Sequence, residues 1–473
     1  MSSRRRKSTI ACMILAAGKG TRMNSAKSKV LHPLLGVPMV AYPVESARRL
    51  GAGTIVAVLG HQIKEVAKAL DERFGPGCVT VVEQKAQKGT GHAVRLGLGP
   101  LADFDGLVVI LCGDVPLLRA ETLDALVAQA KKSRGLAMLT SVVQDPTGYG
   151  RIVRDDAGKI REVVEHKDTD NAQRRISEVN AGIYAGPAEF LRKATAKLST
   201  RNAQAEYYLT DIVVQAAATI GVTSVDVSAE EMSGVNDREQ LVAAEKVLAG
   251  RIVREHMKLA TFRGPESVVV EASVTIEADA EIGRNVVLRG STHIGAGARI
   301  DDGCILTNTV VGKGTHVLPY CVATDSAIGE NNKIGPFAHL RPGTVLAADV
   351  HVGNFVETKK TQLGRGSKAN HLTYLGDTIV GEKVNVGAGT ITCNYNGFEK
   401  RQTVIDDGAF IGSDTQLVAP VRVGKRAVVA AGSTITEDVH DGALAISRVP
   451  CKQVDGYADR LAERYGSQKK ATR

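Results

Sequence analysis

Residues 282–300, "IGRNVVLRGSTHIGAGARI", carry an aliphatic side chain at every sixth position: Ile282, Leu288, Ile294 and Ile300. A helix repeats its buried face about every 3.6 residues and a strand about every second residue, so neither produces this spacing. A parallel β-helix does, because each short strand ends at a corner and sends one aliphatic side chain inward. The spacing extends back to Val270 and Ile276 and forward to Leu306. It returns at Ile328, Ile334, Leu340, Leu346 and Val352, and again at Ile411, Leu417, Val423, Val429 and Ile435. Glycine follows the aliphatic in "IGRNVV", "IGAGAR", "VGNFVE", "VGAGTI" and "VGKRAV", as tight corners require. The register breaks at residues 392–403, "TCNYNGFEKRQT". Insertions in a solenoid become external loops, often on the binding face. Such a coil also leaves a flat side, so oligomerisation is expected.

Upstream the grammar changes. "TIACMILAAG", "TIVAVLG", "VTVVEQ", "LVVILCGD" and "GLAMLTSVV" are β-rich, with amphipathic stretches such as residues 120–132 between them. This is the pattern of a mostly parallel sheet covered by helices, an α/β Rossmann-like domain. Leu241, Leu248, Ile252 and Leu259 then lie on one helical face. The expected order is a basic tail over 1–8, an α/β domain over 9–236, a linker helix over 237–262, a β-helix over 263–450 and a tail over 451–473. Two domains also follow from the length of 473 residues, because single cores stop growing at roughly 250–300.

Aromatics make up 4% of the chain and tryptophan is absent, so the core must rely on small aliphatic side chains. The net charge is +9, but Arg4, Arg5, Arg6, Lys7, Lys469, Lys470 and Arg473 supply most of it at the two ends. What remains is nearly neutral, which argues for solvated termini over a nucleic-acid footprint. The seven cysteines are scattered and never form a C-x-x-C pair, which argues against a disulfide framework or a structural zinc site. The start "RRRKSTIACMILAAG" has the features of a secretory signal. Its apolar run reads equally as a buried strand, and phosphate-seeking residues follow at once. No apolar run approaches the ~18 residues of a membrane span, so the default expectation is a soluble cytoplasmic protein with no membrane partner.

The strand-end loop "LAAGKGTRM", residues 15–23, has neither Walker A spacing nor the G-x-G-x-x-G of a dinucleotide site. In an open α/β sheet, ligands sit at the carboxyl ends of the strands. This loop and "CGDVP" both fall there, so the two should meet. Together with "GTGHA", "GYGRI", "VNAGIY" and "GVN", the loop resembles the sugar-phosphate nucleotidylyltransferases. The second half, with "LRPG", "NFVETKK", "HLTYLGD", "GAGTITCNYNG" and "GSDTQLVAP", is similar to the hexapeptide-repeat acyltransferases. Residues 9–450 as a whole resemble the family of bacterial bifunctional enzymes that join glucosamine-1-phosphate N-acetyltransferase to N-acetylglucosamine-1-phosphate uridylyltransferase. The resemblance implies a left-handed coil, a homotrimer, and the substrates UTP, glucosamine-1-phosphate and acetyl-coenzyme A. The product would feed cell-wall polymer synthesis.

Nucleotidyl transfer needs positive charge and fixed N–H donors around phosphates. Gly18 and Gly20 let the backbone bend toward them, and Arg22 and Lys29 place cations on the transferring group. The resemblance adds Leu15, Ala16 and Ala17 to the UTP contacts. Asp114 ends a buried strand, where a carboxylate can take a hard divalent ion, or can simply cap a helix before "VPLL". By resemblance the ion is magnesium and Asn236 is its second protein ligand. Gln84, Gly89 and Thr90 match the segment that reads uracil. Gly150, Glu165, Asn180 and Tyr149 match positions around the N-acetylated sugar, though turn and cap chemistry also accounts for them. Cys112 stands where the family commonly has tyrosine.

Acetylating a sugar amine needs a base and cations for the sugar phosphate. His371, at a break in the hexapeptide register, is the candidate proton acceptor. A packed or surface histidine is the plainer alternative. The resemblance assigns Arg341, Lys359, Tyr374, Asn385 and Glu357 to glucosamine-1-phosphate, and Ala388, Asn394, Tyr395, Ser413, Ala431 and Arg448 to acetyl-coenzyme A. Two rival readings remain at this level. One is a single-activity nucleotidylyltransferase whose β-helix only oligomerises. The other is a non-catalytic assembly subunit.

Overall fold

A computed structural model describes residues 9–466, so the basic clusters at 4–7 and 469–473 lie outside the described residues. The chain divides into two compact units. One runs up to Glu255 together with Val270–Ala272; the other comprises His256–Val269 and the residues from Ser273 on.

The apolar run near the start is the central strand Ile10–Ala16, with Cys12, Met13 and Ile14 fully buried. Thr54–Leu59 pairs with it in parallel on one side and Leu107–Cys112 on the other. Successive strands thus leave it in opposite directions, which opens a crevice at the carboxyl ends of these strands. Thr80–Glu83 extends the sheet beyond Thr54–Leu59. On the far side Glu178–Pro187 runs antiparallel between Leu107–Cys112 and Leu136–Val142. The hairpin of Arg151–Arg154 and Ile160–Val164 attaches to it. Helix Ala120–Ser133 buries Leu123, Leu126, Val127 and Ala130 in the sheet's core. Each such leucine contributes about 1.5–3 kcal/mol. The helix Arg238–His256 buries Ala244 and Val253, while Leu259 lies beyond its end and is exposed.

The second unit is a left-handed parallel β-helix of three sheets, with 11, 10 and 9 strands. Every aliphatic residue of the six-residue series is buried. A coil takes eighteen residues where Ile282 pairs with Ile300, and seventeen where Ile300 pairs with Val317. The inward positions between the sequence-visible runs are filled by residues such as Val311, Ala323, Thr358, Ala369 and Thr392, all buried. The two threonines are tolerated because their hydroxyls are satisfied: Thr358 bonds to the Thr344 hydroxyl, and Thr392 donates to the Gly376 carbonyl.

One corner departs from its neighbours. Turn positions with positive φ are filled elsewhere by residues such as Asn308, Asp325, Asn331 and Asp349, but here by Tyr320, Phe337, Phe355 and Leu372. These four are 58%, 48%, 56% and 65% exposed, and the three aromatic rings stack with centroids 5.5 Å apart. Bulky side chains are outliers in this region of φ/ψ.

Candidate active site

In the first unit the strand-end loops meet as expected. Gly113 N–H donates to the Leu15 carbonyl, and Gln87 Nε2 donates to the Ala17 carbonyl, 2.5 Å away. Gly20 is left-handed at φ 64°, and a Cβ there would lie 2.5 Å from Lys29 Cβ. Glycine therefore lets the loop close onto Lys29. A Cβ on Gly18 would meet nothing within 4 Å. Arg22 is exposed on the short turn Thr21–Met23.

Lys29 is 8% exposed, and its ammonium donates to Asp114 Oδ2 at 2.5 Å and to Asn236 Oδ1 at 3.0 Å. The Asn236 segment is held there by Val235 N–H donating to the Asp114 carbonyl, and by Gln240 Oε1 accepting from Asn236 N–H. Asp114 thus spends its carboxylate on Lys29, and the helix that follows starts only at Ala120, after Arg119. Two oxygen donors converging on one cation form a donor set that suits magnesium, which takes few protein ligands. Among the described residues no cluster of three or more His, Cys, Asp or Glu forms a metal cage.

The sugar-segment residues come together beside this site. Asn180 N–H donates to the Gly150 carbonyl, and a Cβ on Gly150 would lie 3.7 Å from Glu165 Oε2. Burial raises the Glu165 carboxyl above its usual range, against a hydrogen bond from Thr210. Burial, and then the Asp114 charge, raise the Tyr149 phenol; the same two causes push the Cys112 thiol up to about 12. Cys112 Sγ faces the Gly182 carbonyl at 3.5 Å. Gln84 is 4% exposed and is tied to Gly89, and Thr90 Oγ1 accepts from Leu209 N–H.

In the second unit Asn354 and His371 are register partners on adjacent coils, and Asn354 Oδ1 accepts from His371 Nδ1 at 3.1 Å. That bond fixes the proton on Nδ1 and leaves the Nε2 lone pair free. The same register, carried two residues past Ala369, Val386, Ile411 and Val429, stacks Ala388, Ser413 and Ala431 in line with His371. Arg448 Nη1 donates to the Ala431 carbonyl at 2.8 Å and joins that column. Asn385 lies in the same sheet, paired with Lys368.

Across the corner, Glu357 pairs with Tyr374 in register, and Arg341 Nη1 donates to Glu357 Oε1 at 2.6 Å. A hydrogen bond with Lys400, the Lys400 charge and then Arg341 lower the Lys359 pKa, so three cations crowd one spot. Lys400 arrives on the inserted loop, where it bridges to Tyr395. Asn394 of that loop is buried and donates to Asp377 Oδ2 at 2.5 Å, whereas Tyr395 is exposed. Phe355 and Leu372, on the exposed corner, lie between the His371 column and this cluster along the chain.

Sequence reasoning brought out neither Asn354 nor Lys400. Asn354 bonds to His371 from one coil away, and its signal was its place seventeen residues before His371. Lys400 looked like an ordinary charge in a polar loop.

A MobA-like NTP transferase domain model matches residues 12–180. A GMPPB C-terminal domain model matches residues 265–363, and the hexapeptide repeat of succinyl-transferase matches residues 402–437. A protein of Sorangium cellulosum named bifunctional protein GlmU is 50% identical over 462 residues, covering 96% of this chain and 97% of its own length. Proteins of the same name from Trichlorobacter lovleyi and Geobacter sulfurreducens are 48% and 46% identical, covering 93% and 95% of this chain and 96% and 98% of their own lengths. With a nucleotidyltransferase-type first unit, a hexapeptide coil and this similarity over nearly its whole length, the chain belongs to the bifunctional GlmU family.

Proposed function

We propose that the chain transfers the acetyl group of acetyl-coenzyme A to the amine of glucosamine-1-phosphate. It then joins the resulting N-acetylglucosamine-1-phosphate to UTP, giving UDP-N-acetylglucosamine and diphosphate. The observation that carries this reading is the presence in one chain of two built sites, Lys29 between Asp114 and Asn236, and His371 held by Asn354.

In the first reaction His371 Nε2 takes a proton from the sugar amine as the C–N bond forms and the thioester C–S bond breaks. Asn354 supports the imidazolium through Nδ1–H. Arg341, Lys359 and Lys400 hold the sugar phosphate, with Tyr374, Asn385 and Glu357 placing the ring. Ala388, Ser413, Ala431 and Arg448 line the coenzyme A side, with Asn394 and Tyr395 between donor and amine. In the second reaction the amides of residues 15–18 and the cations of Arg22 and Lys29 hold the triphosphate, and the sugar phosphate oxygen attacks the α-phosphorus. Gln84, Gly89 and Thr90 hold the base; Gly150, Glu165 and Asn180 hold the sugar. Asp114 and Asn236 would hold magnesium, which neutralises phosphate charge when bound. With the ion held there, the Lys29 ammonium, paired with Asp114 in this structure, would be available to the phosphates.

The working unit is a homotrimer. The exposed column of Tyr320, Phe337, Phe355 and Leu372 beside His371 supports this, since an apolar ridge of that kind marks a contact surface. Among the described residues no helix is long and apolar enough to cross a membrane. We place the protein in the cytoplasm, where UTP and acetyl-coenzyme A are available.

Reciprocal variants test the two-site reading. Lys29→Ala should abolish uridylyl transfer and spare acetyl transfer, and His371→Ala should do the reverse. Loss of both activities from either change, with the fold intact, contradicts it.

A further inference from the structure

The Gln84 side chain is almost fully buried, and both of its amide protons are engaged. Nε2 donates to the Gly89 carbonyl at 3.1 Å, and the same nitrogen lies 3.1 Å from His92 Nδ1. A carbonyl only accepts, so the NH2 side of the amide must face Gly89. An amide nitrogen only donates, so His92 Nδ1 must be the acceptor, and His92 is the neutral tautomer with its proton on Nε2. Burial, then the charges of Arg95 and Lys88, lower the His92 pKa against a backbone hydrogen bond at Ala86, in keeping with that neutral form. Its ring is held against Tyr207, 6.2 Å between centroids, and Arg95 lies over the same tyrosine. Among the described residues nothing donates to Gln84 Oε1, which is also not sealed from solvent.

We infer that His92 is a positioning residue that sets nucleobase specificity: by taking the second amide proton of Gln84 it leaves only Oε1, an acceptor, to face the base. This rests on the reading that Gln84 contacts the base of the nucleotide. Uracil offers a ring N–H to such an acceptor. Cytosine has a lone pair at the same ring position, so its nitrogen would oppose Oε1 with no proton between them. Discrimination of this kind is large when a buried polar group would be left unpaired. Without His92 only the Gly89 bond holds the amide in this orientation; an amide that gives up that bond turns its nitrogen toward the base, and the preference for uracil over cytosine weakens.

The test measures uridylyl transfer by the full-length protein with UTP and with CTP, in the wild type, His92→Ala, His92→Asn and Gln84→Ala. Acetyl transfer and thermal unfolding monitor the fold. An asparagine Oδ1 can sit where Nδ1 does and accept the same proton. His92→Ala should raise the KM for UTP and reduce the UTP-over-CTP preference in kcat/KM by about 10-fold. His92→Asn should keep that preference within about threefold of wild type. If Gln84→Ala loses the preference while His92→Ala keeps it, or if His92→Asn falls as far as His92→Ala, the positioning role is overturned. If Gln84→Ala keeps the preference, the base-contact reading itself fails.

Discussion

The hydrogen bond between Asn354 and His371 offers the sharpest test of the acetyl-transfer site. It spans 3.1 Å between a half-buried asparagine and an exposed histidine on adjacent coils. A neutral bond of this kind contributes about 0.5–1.5 kcal/mol, which corresponds to about 2- to 13-fold in rate if it is lost in the transition state. Asn354→Ala should therefore lower kcat for acetyl transfer by that factor and leave the KM for glucosamine-1-phosphate nearly unchanged, since Asn354 touches the base and not the sugar. Asn354→Asp adds a carboxylate beside the imidazole, which favours the charged form of the base. A base works only when deprotonated, so the acid limb of the kcat/KM profile should move to higher pH. Coenzyme A thiol release, followed from pH 5.5 to 9 (a range spanning the ordinary imidazole pKa of about 6.5), reads both effects, with uridylyl transfer as the internal control. An unchanged kcat in Asn354→Ala, or an acid limb that stays in place in Asn354→Asp, would refute the role given to this bond.

Other expectations follow from single contacts. Gly20→Ala forces a left-handed alanine onto Lys29 Cβ, 2.5 Å away. It should cost about 1–3 kcal/mol of stability in the first unit, read by denaturant unfolding, and lower uridylyl kcat/KM by at least about tenfold. Phe337→Arg puts a charge into the exposed aromatic column; sedimentation should then show dissociation, with acetyl transfer lost and uridylyl transfer kept. The Cys12 and Cys112 thiols, both pushed up to about 12, should resist iodoacetamide at pH 8, whereas the exposed Cys451 reacts at once, as mass mapping would show.

The six-residue period was readable because each inward slot of a narrow coil holds a single aliphatic side chain. It faded where a coil shortens to seventeen residues, and where Thr358 and Thr392 fill slots by bonding their hydroxyls internally. The hand of the coil has no sequence periodicity of its own, and the usual preference for right-handed crossovers points the other way. In the first unit the parallel strands were visible as apolar runs, while the antiparallel Glu178–Pro187 was not, since its Asn, Gly and Pro break the strand pattern. Glycines and charges at strand ends marked residues 15–23 as a candidate phosphate loop. The convergence of Lys29, Asp114 and Asn236 spans more than two hundred residues, and only the sheet topology brings it about. Asn354 and His92 escaped notice for a related reason: each is marked only by its bond to another side chain, which leaves no local signature.

The central claim is that one chain performs both transfers, and one incubation tests it. Purified protein is mixed with glucosamine-1-phosphate, acetyl-coenzyme A, UTP and magnesium, and the products are weighed by mass spectrometry. UDP-N-acetylglucosamine, coenzyme A and diphosphate are the expected products. If UDP-N-acetylglucosamine forms only when N-acetylglucosamine-1-phosphate is supplied, the β-helix does not transfer acetyl groups and the two-activity account is contradicted.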